Sequence, residues 1–595
     1  MSRYLRLFLL GFSIICASLV AGADPAASAP IDAVRMAVLS EADVKRYTRI
    51  FDLQEKGKWQ QASRLIRKLD NDILLGHVWY QRYMHPTRYR SKYAELAGWM
   101  KRYADQPDAW RVYRLAMRRR GKNSMPRRPV QTKYPGVVGQ AAPSKPALPR
   151  RKASLQKAVD KVKNTIRGEL KRGRPARAER RFWALENRGV LAEYERALIL
   201  SKLSAYYFFE GDDDKALALA TFGGELDGAN VPRNHWIAGL AAWRLGKIEE
   251  AADHFATICQ NESARPWMIS AAGFWAARSL ERLQRPEDAR QHLFLASQQR
   301  ESFYGMLAAK QLGLDVQFNW TPPLYSDPAH TRLMTYPAAA RAIALTQLGR
   351  TALADEELRL LWGRKGAAVQ EDVLALSVAL GLPAVQLRIG RTGGDVATMP
   401  AAVRYPLPAW EPSGGFIYDR AMLFAFVHQE SSFRARAKSS VGGHGLMQLM
   451  PATASYMAKD RKLYRQQRDK LYLPEYNMAL GQQYIDYLLE QDYVQADLFS
   501  LLAAYNAGPG NLIRWQKEIN YQGDPLLFIE AIPFYETRDH IEKVMLNMWL
   551  YRMRLGQDTP TLDAVASGAW PNIEILDNET TAAASRSHFP AGTFR

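Results

Sequence analysis

At 595 residues the chain is too long for one hydrophobic core, and with 47% apolar residues it has ample material to bury several. Two cysteines exclude a disulfide-stapled scaffold. A formal charge of +21 and a pI near 9.7 imply attraction to polyanions; for an exported chain that means cell wall or membrane surface before nucleic acid, and no nucleic-acid fold signature accompanies the charge.

Residues 1–23 read as a secretory signal peptide. Arg3 and Arg6 form the charged start, Leu7 to Val20 the apolar run, and Ala21-Gly22-Ala23 a small-residue cleavage site. The run is shorter than the roughly 20 residues needed to span a bilayer, so the mature chain is expected to begin near Asp24 with no integral membrane segment. Cleavage removes Cys16, which follows Ile14 and Ile15 rather than the small residues of a lipid anchor, and leaves Cys259 without an internal partner.

From about Ile31 to Gly390 helical periodicity is nearly continuous, with almost no alternating β-branched runs. A repeat runs through it: Gly57 precedes Ala62 by five residues, and the spacing recurs at Gly211 and Ala216, Gly246 and Ala251, and Gly349 and Ala354, with Gln284 replacing glycine ahead of Ala289. Glycine turns the chain out of one helix and the small alanine admits the next, so each copy reads as a helix-turn-helix unit. The 35-residue step from Gly211 to Gly246 is near the period of about 34 of tetratricopeptide-type repeats, which predicts an α-solenoid over 24–321. Trp236, Trp243, Trp267 and Trp275 are expected to pack between its helices.

A Pro-, Arg- and Lys-rich stretch without acids, about 118–152, interrupts the array and reads as a disordered basic insertion, a solvated loop by default, with an electrostatic tether to anionic wall polymer as the alternative. Glu301 to Gly313 closes the array, residues 322–405 form a small helical linker domain, and Pro406, Pro408 and Pro412 open the last domain, 406–556. Residues 557–595, rich in Thr, Ala, Ser and Pro, are expected to be a loose tail.

The chemistry lies in that last domain. Leu423, Phe426 and Val427 form an apolar helical stripe, and Glu430 occupies its next position. A carboxyl buried there would hold its proton near neutral pH, as a general acid must; a frayed helix end, or a pair with Arg434, is the competing reading. Three blocks follow on loops and helix ends: Ser439 with Gly442, Gly443 and the run Gly445 to Pro451; Ala504 to Asn511; and Ile532 to Arg538.

With Glu430-Ser431, these blocks resemble the catalytic domain of the soluble lytic transglycosylases, glycoside hydrolase family 23, which has a goose-type lysozyme-like fold. The helical array and YGMLAAKQLG are similar to full-length members, so the resemblance implies a mainly α protein: a superhelical helix-hairpin ring, a small helical linker domain and a lysozyme-like α(+β) catalytic domain. It implies that Glu430 is the single catalytic acid and base for the bond between N-acetylmuramic acid and N-acetylglucosamine in peptidoglycan. As acid it would protonate the glycosidic oxygen; as base it would deprotonate the muramic C6 hydroxyl, leaving a 1,6-anhydro end without consuming water. Paired-carboxylate glycosidases need a second acid; here the substrate's acetamido group would take that part.

The resemblance further makes Gln448, Met450 and Tyr505 subsite residues, with Tyr505 holding the Glu430 carboxyl, and has Ser439 and Glu536 contact substrate polar groups. Core packing is the alternative for Met450 and Tyr505, a pair with Arg538 for Glu536. The chain departs from the family at Gly442-Gly443-His444, where His444 is expected to face solvent. His428 lacks the spacing or cysteines of a zinc site, so no metal and no cofactor is expected. The implied setting is the periplasm, with glycan strands as substrate, wall-synthesis or outer-membrane proteins as possible partners, and a monomeric state. A hydrolytic muramidase on the same fold and a non-catalytic wall-binding scaffold are the alternatives.

Overall fold

Left-handed residues set the helix pairs. Gly57, Gly211, Gly246 and Gly349 have φ between +68° and +83°, a region that penalises side chains bearing a Cβ. Gln284 takes the same turn at φ +58°, so the repeat continues where glycine is missing. The paired alanines Ala62, Ala216, Ala251, Ala289 and Ala354 are all buried.

A computed structural model describes residues 33–134, 146, 148, 150–392 and 399–577. The expectations for the signal peptide and Cys16 lie outside the described residues, as do those for 135–145 of the basic insertion and for 578–595 of the tail. Among the described residues the protein is helical, with only isolated β-bridges, and no helix is long and apolar enough to cross a membrane.

The chain divides into two compact units. The described part of one takes residues 33–129, 323–349 and 371–379. Of its N-terminal helices, Leu75–Tyr83, Tyr93–Tyr103 and Ala109–Arg119 pack around Leu96, Trp99, Met100 and Val112. The helix Pro337–Gln347 is tied to them: Gln347 Oε1 accepts from the N–H groups of Val38 and Leu39 at 3.0 and 2.9 Å, and Arg341 pairs with Asp105 at 2.8 Å.

The other unit takes 130–322, 350–370 and the chain from 380 on. In it the helices Glu193–Phe209, Asp213–Asp227, Arg233–Arg244, Ile248–Cys259, Pro266–Arg282 and Pro286–Ser297 each pack on the next, as a solenoid does. Trp243 and Trp275 are buried and meet edge to face at 5.3 Å, and Trp236 packs on Phe255. Trp267 is the exception, 44% exposed. The helix Phe303–Gln311 joins this array to the last domain: Tyr304 donates to Glu530 at 2.5 Å, and Phe303 stacks on Trp549 at 5.2 Å.

Two expectations of disorder need correction. Within the basic stretch, Arg118 and Arg119 end the helix Ala109–Arg119, and Tyr134 lies under Arg388 and against Trp362 while Thr132 accepts from Arg364 at 3.1 Å. Arg151 is buried against Glu195. Composition averaged over the stretch hides these few anchoring side chains. Nor is the chain loose directly after 556: the helix Pro560–Ala566 follows, Trp570 packs against both Tyr521 and Phe528, and Asp577 pairs with Arg420 at 3.0 Å.

Candidate active site

The helix Arg420–Ser431 is the axis of the last domain. Ala421 through His428 are buried on every side, so the apolar surface is wider than the stripe read from the sequence, as expected of a helix at the centre of a domain. It stops abruptly. Ser432 and Phe433 both adopt left-handed φ, +51° and +61°, and the Ser432 N–H returns to the His428 carbonyl at 3.1 Å. Glu430 therefore stands in the last turn, its side chain 16% exposed. Burial is the main cause that pushes its carboxyl up to about 7, and the like charge of Glu536 adds to it. The negative end of the helix dipole acts in the same sense.

The glycine-rich loop folds back as a narrow hairpin, with His444 and Leu449 exchanging both backbone hydrogen bonds at 3.0 and 3.1 Å. Gly445 is indispensable there: φ is +80°, and a Cβ would fall 2.0 Å from the Leu471 carbonyl oxygen. Asn477, fully buried on the helix Pro474–Leu489, clamps the loop by accepting from Met447 N–H at 2.8 Å and donating to the carbonyls of His444 and Leu471 at 3.1 and 2.9 Å.

Ser439 and Gln448 are half-buried in this loop. The Ser439 hydroxyl accepts from Gly443 N–H at 2.7 Å; Gln448, itself at φ +48°, donates to the Gly445 carbonyl at 2.7 Å. Met450 caps the helix Pro451–Met457 and is 42% exposed. His444 does not face solvent: it is 3% exposed and its Nδ1 lies 2.6 Å from the Gly442 carbonyl, because the hairpin folds the ring inward against Tyr472.

Tyr505 rises from the helix Leu498–Ala507, whose N-terminus is capped by Asp497 accepting from Phe499 and Ser500. Its hydroxyl donates to the Met447 carbonyl at 2.8 Å, not to the Glu430 carboxyl, while its ring packs on Phe426. Thr537 donates to Asn506 at 2.7 Å and so locks the second block to the third. Glu536 is exposed in the first turn of the helix Tyr535–Arg554; Arg538 turns away from it to the Ile532 carbonyl and the face of Phe209. His428 accepts from Arg391 at 2.8 Å.

Sequence reasoning missed His540. Its Nδ1 lies 3.4 Å from Glu430 Oε1, and burial lowers its pKa to about 3, so the ring is neutral and the contact is not an ion pair. The signal was available in principle: His540 occupies an inward position with Thr537, Ile541 and Val544, a titratable group on an apolar face just as Glu430 is. Sequence reasoning also missed Asn477 and a run of tyrosines. Tyr484 packs on Tyr505 at 5.3 Å, Tyr487 on Tyr484 at 6.3 Å, and Tyr456, 67% exposed, on Tyr487 at 5.9 Å. Together they lead from the acid's surroundings to the surface.

A buried acid at the end of a central helix, walled by a glycine hairpin and a tyrosine helix, on a lysozyme-like domain joined to a helical array, defines a class. Residues 414–527 match the transglycosylase SLT domain. Among its relatives, the soluble lytic murein transglycosylase of Escherichia coli K12 is 30% identical over 297 residues, 49% of this chain and 44% of the relative. A putative soluble lytic murein transglycosylase of Haemophilus influenzae is 28% identical over 45% of each chain. The aligned region thus spans less than half the length of these curated relatives. In fold the likeness extends further. The crystal structure of the 70 kDa soluble lytic transglycosylase Slt70 from Escherichia coli superposes with a TM-score of 0.52 at 18% identity, covering 89% of this chain and 99% of that one. An inactive Glu-to-Gln mutant of Slt from Pseudomonas aeruginosa gives a TM-score of 0.52 at 19% identity over 88% of each chain.

Proposed function

We propose that the chain is a peptidoglycan lytic transglycosylase that cleaves the β-1,4 bond between N-acetylmuramic acid and N-acetylglucosamine and leaves 1,6-anhydro-muramoyl ends. One observation carries the reading: the Glu430 carboxyl, in the last turn of the central helix, is pushed up to about 7 chiefly by burial, so it can hold a proton and can also give it up. As acid, Glu430 protonates the glycosidic oxygen while the bond to the muramic C1 breaks. The carboxylate left behind takes the proton of the C6 hydroxyl as that oxygen closes onto C1, and the acid is regenerated without water. Glu536, the other carboxylate that acts on Glu430, lies exposed at a helix start. It serves substrate binding in this reading, and the substrate's acetamido group steadies the positive charge at C1.

Ser439, Gln448, Met450 and Tyr505 form the surrounding subsites, Ser439 and Gln448 through the hairpin they help to shape and Met450 through its exposed thioether. The names of the relatives, which are murein transglycosylases, support the substrate class, and the inactive glutamate mutant of the Pseudomonas protein supports an essential glutamate. The proposed arrangement is a signal peptide over 1–23, a solenoid over 24–321, a linker domain over 322–405 and a catalytic domain over 406–556, acting as a periplasmic monomer on glycan strands. Mass spectrometry of digested sacculi tests the chemistry. Anhydro-muramoyl ends are expected from the wild type and none from Glu430→Gln; reducing muramic ends would make the protein a hydrolytic muramidase instead.

A further inference from the structure

His540 is built into the site more tightly than packing requires. It is 3% exposed on its side chain, its ring lies parallel to Tyr505 within 3° at 6.3 Å, and Phe426 meets it edge-on at 6.2 Å. That stack fixes the ring plane and points Nδ1 at Glu430 Oε1, 3.4 Å away at the outer edge of hydrogen-bond reach. Its other nitrogen, Nε2, is buried with no hydrogen-bond partner among the described residues.

A neutral imidazole carries one N–H, and the surroundings choose which nitrogen bears it. A buried N–H without an acceptor costs about 1–3 kcal/mol, and orphaned donors are rarer than under-used acceptors. The proton therefore belongs on Nδ1, where Glu430 accepts it, and the bare lone pair on Nε2. The other groups around the acid cannot take this part. Tyr505 donates its hydroxyl to the Met447 carbonyl, Glu536 raises the acid's pKa by repulsion, and His428 on the acid's own helix is engaged by Arg391.

We propose that His540 is a positioning residue for Glu430: its Nδ1–H donates to Oε1 and so keeps the acidic proton on Oε2, facing the substrate. This inference rests on the acid role given to Glu430 above. In the first half of the reaction the proton leaves from Oε2 and Oε1 stays bonded to His540. In the second half the same bond steadies the carboxylate until Oε2 takes the C6 hydroxyl proton.

His540→Phe keeps a ring and removes the donor, whereas His540→Asn places an amide N–H close to where Nδ1 stood. In His540→Phe, kcat on purified glycan strands should fall about tenfold or more with KM little changed, and the basic limb of the kcat profile should move to higher pH. His540→Asn should recover most of both. A readout that needs no turnover accompanies it: the ionisation midpoint of Glu430, taken from the pH dependence of unfolding relative to Glu430→Gln, should also rise in His540→Phe. Should the phenylalanine variant fail to fold, His540→Leu, which likewise lacks a donor and is smaller, takes its place. An unchanged midpoint and pH profile in His540→Phe would overturn the inference, as would equal losses in the Phe and Asn variants. If the wild type releases no anhydro ends but the midpoint still moves, the pairing of the two side chains stands and the reading of the activity fails.

Discussion

Glu430→Gln should make the folded protein more stable, by an amount that is absent below pH 4.5, grows as pH rises to about 7 and stays constant above it. The carboxyl titrates at about 7 when folded, chiefly because of burial, against an ordinary value of 4.5. Below pH 4.5 both folded and unfolded chains are protonated, and the acid behaves as the amide would. Between 4.5 and 7 the unfolded chain ionises first while the folded chain keeps its proton, so stability falls as pH rises. Above 7 both are ionised and the full penalty is present. At ~1.36 kcal/mol per pH unit, the interval from 4.5 to 7 corresponds to about 3 kcal/mol. The amide carries no such penalty at any pH. Calorimetric scans of wild type and Glu430→Gln between pH 4 and pH 8 check this: the transition containing the last domain should coincide at pH 4 and lie several degrees higher for the variant at pH 8. A variant that is less stable at pH 8, or that differs equally at both pH values, would refute the claim that Glu430 is held protonated by burial.

Asn477→Ala removes three hydrogen bonds from the glycine hairpin and leaves the Met447 N–H and two carbonyls to find other partners. A loss of about 3 kcal/mol is expected from denaturant unfolding, together with a collapse of cleavage activity although Glu430 is untouched. In the helical array, Trp275→Ala should cost about 3–5 kcal/mol because the side chain is fully buried against Trp243. Trp267→Ala should stay within ~0.5 kcal/mol because that side chain is 44% exposed; paired melting curves decide both.

What could be read ahead was whatever depends on spacing along the chain. Glycine at the turns and alanine five residues later marked the helix pairs, and the spacing was strict enough to pick out Gln284, which takes the left-handed turn without being glycine. Glu430 could be singled out because a helix converts sequence spacing into a face, and that face proved buried. Failures came where a residue's partner lies far off in the chain. Tyr505 gives its hydroxyl to Met447, 58 positions away, instead of to Glu430, and His444 turns inward because the hairpin closes over it. Thr132 and Tyr134 looked like part of a loose basic stretch because their anchors, Arg364, Trp362 and Arg388, come more than 200 positions later.

The sequence by itself determined the helical class, the repeat, the order of the motif blocks and the single acid at the end of an apolar helix, since each depends on residues close together in the chain. Only the tertiary structure decided what surrounds that acid. His540 reaches it from a helix more than 100 positions later, Asn477 holds the hairpin from a third element, and the pKa of about 7 comes from burial, which arises when these helices pack together. Proximity across such separations is a product of folding, and the acid's chemistry depends on it.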